Sequence, residues 1–79
     1  MNQFHRLPDV VKQLGIAKPT LYAHMAKGLW PRGIAVGPRA VAWPASEIES
    51  MVAARTAGKS EDEIRALVVS IHDARKLAA

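Results

Sequence analysis

Six basic side chains, Arg6, Lys12, Lys18, Lys27, Arg32 and Arg39, stand within residues 1–43 against one acid, Asp9. Residues 44–79 hold five basic side chains, Arg55, Lys59, Arg65, Arg75 and Lys76, against six acidic ones. The net charge of +4 therefore lies wholly in the N-terminal part. Unneutralised Lys and Arg gathered in one part of a small chain suit recognition of a polyanion. Other chemistries lack their components. Cysteine is absent, which excludes disulfides and thiolate nucleophiles. His5 and His72 have no ligand-type neighbours at metal spacing, so no metal site is expected. The carboxylates Glu47, Glu49, Glu61, Asp62 and Glu63 fall at helix starts, where the helix dipole accounts for them without an acid–base pair. No Ser-His-Asp order and no phosphate loop occur. The chain reads as a binding protein rather than an enzyme, with no cofactor.

These groups need a scaffold, and 79 residues allow one small domain. A chain of this size buries only about 60% of its unfolded surface, which leaves little room for a deep pocket beside a core. Leu7, Val10, Val11 and Leu14 recur at i, i+3, i+4 and i+7 and predict a short helix. Pro8 suits its first turn, Asp9 its positive end, and Gly15 its stop. After Ile16 and Ala17 a second helix is expected from about Lys18 to Lys27, with Leu21 and Met25 facing inward and Gly28 ending it. Two short helices joined by three residues including a glycine form a helix-turn-helix. Ile34, Val36, Val41 and Trp43 alternate on either side of Gly37-Pro38-Arg39, which predicts a two-stranded hairpin, or wing. Trp30 and Trp43, each beside a proline, are expected in the core. A third helix should begin near Pro44 and Ser46 and run to Gly58. Ser60 and Glu63 then form a capping box opening a fourth helix, with Ile64, Leu67, Val68, Ile71 and Ala74 on one stripe. The expected fold is mainly α with a small β-hairpin. A winged helix-turn-helix over residues 1–58 is followed by an amphipathic helix over 59–79, packed on the domain or on a partner. No membrane span and no signal peptide are predicted, and a cysteine-free chain of this kind suits the cytoplasm.

Five segments share a pattern. They are Arg6-Leu7-Pro8-Asp9-Val10-Val11, Gly15-Ile16-Ala17-Lys18-Pro19-Thr20-Leu21-Tyr22, Gly28-Leu29-Trp30-Pro31, Gly37-Pro38-Arg39-Ala40-Val41-Ala42-Trp43 and Ser46-Glu47-Ile48. In this order they resemble the AlpA-type, excisionase-like family of prophage and mobile-element regulators, whose fold is a MerR-related winged helix-turn-helix. The resemblance covers roughly residues 4–57. It implies that Thr20-Leu21-Tyr22 opens a recognition helix and that Gly37-Pro38-Arg39 is the tip of a wing. Two positions depart from the family pattern. A serine often stands where this chain has Ala17, and an arginine commonly follows the tyrosine where it has Ala23.

On that recognition helix, a rotation of about 100° per residue places Pro19, Ala23, Ala26 and Lys27 opposite Leu21 and Met25. Thr20 and His24 flank this face on one side and Tyr22 on the other. Thr20 can bond a base edge or phosphate, and Ala23 can meet a thymine methyl. Lys18 and Lys27 suit phosphates at the two ends, and the Tyr22 hydroxyl can reach another. Arg39 is expected to contact the minor groove or backbone, and Arg32 a further phosphate. A helix without Arg, Asn or Gln at its centre has few bidentate base readers. Affinity should then come largely from phosphates and selectivity partly from DNA shape.

The resemblance implies a DNA-binding protein of a mobile element, acting as excisionase, transcription regulator or both. Double-stranded DNA is the expected partner, with an integrase and cooperative self-association on DNA as further expectations. A phage DNA-packaging subunit of the small-terminase kind is the competing reading.

Overall fold

The computed structural model describes residues 3–78. Gly15 and its neighbours set the first corner. Helix α1, Leu7–Leu14, carries Pro8 and Asp9 in its first turn and ends on Gly15 at φ +66°. That left-handed turn, which glycine adopts without steric cost, lets the N–H groups of Gly15 and Ile16 bond back to Lys12 O and Val11 O at 3.3 and 3.2 Å. Three residues later the chain enters α2, Lys18–Ala26. Its N-cap is Ala17, which offers no side-chain hydrogen bond; the Ala17 carbonyl instead accepts from Thr20 and Leu21.

The expected hairpin is present as β2, Ile34–Gly37, and β3, Ala40–Pro44, but it belongs to a larger sheet. A short strand β1, Phe4–Arg6, pairs antiparallel with β3, giving the order β1-β3-β2. The two-stranded wing of the sequence reading is thus a three-stranded antiparallel sheet with β3 in the middle. The alternation also needs correction. Ile34 pairs with Ala42 and Ala35 with Val41, and an irregularity between Ala35 and Gly37 shifts the register. Cross-strand partners share a face, so Ile34 lies with Ala42, whereas Val41 lies with Trp43. Val36, beside that irregularity, is exposed at 48%. At the base of β2 the main chain passes close to β3. A Cβ built on Gly33 would stand 2.7 Å from the Val41 Cβ and 3.3 Å from the Trp43 ring, so this position requires glycine.

Helix α3, Ala45–Thr56, follows β3 directly, and α4, Glu61–Ala78, closes the chain. The capping box at its start is formed. Ser60 N–H donates to Glu63 Oε1, and Glu63 N–H donates to Ser60 Oγ, each at 3.2 Å.

One core gathers residues from all four helices and β3. Val10, Leu21, Leu29, Trp30, Trp43, Ile48, Met51, Ile64, Val68 and Ile71 are buried together. Trp30 and Trp43 are core residues, as expected, and the Trp43 Nε1 donates to Pro31 O at 2.8 Å. The apolar stripe of α4 contributes Ile64, Val68 and Ile71 to this cluster, with Leu67 packed against it. Three polar contacts reinforce that seat. Arg75 forms a two-pronged ion pair with Glu47 of α3, with Nε at 2.9 Å from Oε2. Arg65 Nε donates to Lys27 O at 3.0 Å. His72 Nε2 accepts the Arg32 N–H at 3.1 Å.

Candidate nucleic-acid interface

The burial of Leu21 turns α2. With Leu21 at 0% exposure and Met25 packed against the core, the opposite surface of the helix is left to solvent. Lys18, Pro19, Thr20, Tyr22, Ala23, Ala26 and Lys27 are all exposed, Tyr22 at 48%. None of them is acidic. The nearest acids in sequence are Asp9 and Glu47, so the chain from the middle of α1 to the start of α3 bears positive charge alone.

Arg39 lies in the exposed turn between β2 and β3. This is the end of the hairpin remote from Gly33, Pro31 and Trp43, which anchor its base. Arg32 is exposed in the connection from α2 to β2, and its backbone N–H is held by His72 of α4. Lys27 is likewise exposed, while its carbonyl is held by Arg65. The side chains of both residues are therefore presented from a backbone that α4 ties down.

His24 differs from its neighbours. It is half-buried, and Arg55 of α3 reaches its Nδ1 at 3.3 Å. The same guanidinium nitrogen donates to Leu29 O at 3.2 Å, and the guanidinium carbon stands 5.3 Å from the centre of the Trp30 ring. An imidazole nitrogen that accepts a hydrogen bond must be unprotonated. Burial first, then the charges of Arg55 and Lys27, hold the His24 pKa below its ordinary value. His24 thus joins α2 to α3 through a neutral ring. Sequence reasoning missed Arg55. Its one local signal, a basic residue in the last turn of a helix, does not reveal contacts 26 and 31 residues away.

Two shallow recesses flank α2. One, of about 280 Å³, is lined by His24, Leu29, Arg55, Lys59, Glu61 and Ile64. The other, of about 300 Å³, lies between the end of α2 and α4. Among the described residues, no group of three His, Asp or Glu side chains is placed to hold a metal ion. Nor is any helix there long and apolar enough to cross a membrane.

Residues 3–56 match the family described as prophage CP4-57 regulatory protein (AlpA). The chain belongs to the AlpA family. It is also 35% identical over 57 residues to the uncharacterized protein ORF88 of Enterobacteria phage P4. That match covers 72% of this chain and 65% of the phage protein, so it spans just under two thirds of its relative. No solved structure matches it. Membership of the AlpA family places the chain among prophage regulatory proteins. The family segment runs from β1 through the last turn of α3 and leaves α4 outside.

Proposed function

We propose that this AlpA-family protein binds duplex DNA of a mobile element and acts there as a transcription regulator, an excisionase (a recombination directionality factor), or both. Helix α2 would enter the major groove, and the β2–β3 hairpin would serve as a wing. One observation carries this reading. The solvent face of α2 and the hairpin tip belong to an acid-free stretch with Lys18, Lys27, Arg32 and Arg39 all exposed. Such a surface attracts a phosphate backbone and repels little of it.

Within this reading Lys18, Lys27, Arg32 and Arg39 contact phosphates, and the Tyr22 hydroxyl adds another. Pro19, Thr20 and Ala23 face base edges, with His24 at the margin. Ala23 lacks the forked donors that read guanine or adenine. Binding by one copy is therefore governed by backbone contacts and DNA shape, and selectivity comes from copies filling neighbouring sites. An integrase is the partner an excisionase would require. The protein acts in the cytoplasm, on the nucleoid, with no cofactor and no catalytic step.

Gel-shift titration with promoter and attachment-site duplexes at two salt concentrations tests this. Lys18→Ala and Arg39→Ala should each weaken binding and lower the slope of log K against log salt by about one. Unchanged slopes would remove both side chains from the contact surface. Salt-independent binding, or none, would refute the DNA-binding reading as a whole.

A further inference from the structure

Resting on the DNA-binding reading above, we propose that the recess between α2, the end of α3 and the start of α4 receives a backbone phosphate of bound DNA, with Arg55 as its principal donor. The three arginines of α3 and α4 are held in different ways. Arg75 is neutralised by Glu47, and Arg65 lies 3.5 Å from Asp62. Arg55 is held by neutral groups alone: the Leu29 carbonyl, the His24 imidazole and the face of Trp30. Among the described residues it has no carboxylate within ion-pair distance. A part-buried guanidinium without a counter-charge is costly to keep, and burial pushes its pKa below the ordinary value.

Its neutral partners nonetheless fix the position of the charge. Both bonds run through one terminal nitrogen, whereas a guanidinium has five N–H donors in a planar fork. The recess of about 280 Å³ opens at this group, with Lys59 and His24 beside it and Glu61 as its one acid. On α2, Thr20, His24 and Lys27 fall at i, i+4 and i+7, a single stripe of the helix. Thr20 and Lys27 are exposed, and His24 is the point where this stripe meets Arg55. A phosphate in the recess would therefore continue the row of contacts made from α2, and a fixed, preorganised arginine fork suits phosphate oxygens.

The full chain and its Arg55→Lys, Arg55→Met and Glu61→Gln variants would be titrated with duplex DNA by fluorescence anisotropy over a range of salt concentrations. Arg55→Met should weaken binding about tenfold and lower the salt slope by about one, as the loss of one phosphate contact requires. Arg55→Lys should keep the slope, because it keeps the charge. Glu61→Gln should tighten binding by removing the acid at the recess. A wild-type slope in Arg55→Met would overturn the proposal whatever happens to its melting temperature, since a purely structural clamp changes stability and not counterion release. If Arg55→Met does not fold, Glu61→Gln and Lys59→Gln decide: wild-type affinity in both overturns the site. Absence of salt-dependent binding by the wild-type chain is a separate outcome, which refutes the parent reading and this site with it.

Discussion

At His24 and His72, protonation and folding oppose each other. His24 Nδ1 faces a guanidinium donor, and His72 Nε2 accepts a backbone N–H. Both rings must be neutral to play these parts. Burial is the largest cause lowering each pKa from the ordinary 6.5. Arg55 and Lys27 add to it at His24, and Arg75 and Arg32 at His72, where Glu47 and Asp73 offset part of the effect. A base whose folded pKa is depressed takes up its proton more readily when unfolded. Its contribution to stability is full above the unfolded value and is lost as pH falls through that value toward the folded one. The melting temperature should therefore decline as pH falls through the ordinary value of 6.5, and His72→Gln should reduce the decline. Glu63, held below its usual 4.5 by the Ser60 hydrogen bonds, acts only in a lower window. A melting temperature flat across the upper window, followed by circular dichroism, would show that neither imidazole is coupled to folding.

Helix α2 enters the site without the usual device for starting a helix. Ala17 cannot bond the free N–H groups of the first turn, and no acidic residue stands there to meet the dipole. Pro19 supplies part of the start by fixing φ and needing no N–H partner. Restoring a hydroxyl should then strengthen the element. Ala17→Ser is expected to stabilise the fold by about 1 kcal/mol, read as a shift in urea midpoint at unchanged slope. No gain would mean that the Ala17 conformation does not present the side chain to the N–H groups of α2. At this scale the sequence was informative wherever the cause was local. Pro8 and Gly15 bound α1, Gly28 follows α2, and Ser60 with Glu63 opens α4, all from residues within one turn of the boundary. Strand β1 was not legible. Three residues carry no period, and they form a strand because β3 offers them a free edge. The exposure of Val36 was not legible for a related reason, since a register shift is set by pairing and not by alternation. Within the site, the exposed residues of α2 could be read from the helical angle once Leu21 was placed inward. The Arg55–His24 and His72–Arg32 contacts could not, because they span 31 and 40 residues.

For the whole molecule the question is what α4 does for a domain that the family segment already outlines without it. Ile64, Val68 and Ile71 are 5%, 3% and 9% exposed and share one cluster with Leu21, Trp30 and Met51. Burying an aliphatic side chain contributes about 1.5–3 kcal/mol, so these three together rival the lower part of the roughly 5–15 kcal/mol expected for a whole domain. The Arg75–Glu47 pair adds to this, and the bonds from Arg65 and His72 hold the backbone beneath Lys27 and Arg32. Helix α4 therefore supports both the core and the cationic surface. Its outward side, including Val69 at 58% and Leu77 at 88% exposure, remains open to solvent. A chain ending at Gly58 should lose cooperative thermal unfolding by circular dichroism, and DNA binding with it. Ile64→Ala, a milder lesion, should cost about 2–5 kcal/mol while leaving a folded protein that still binds DNA. If the shortened chain instead melts cooperatively near the full-length temperature, binds DNA as before and differs only in its mass in solution, α4 is an assembly surface and not part of the core.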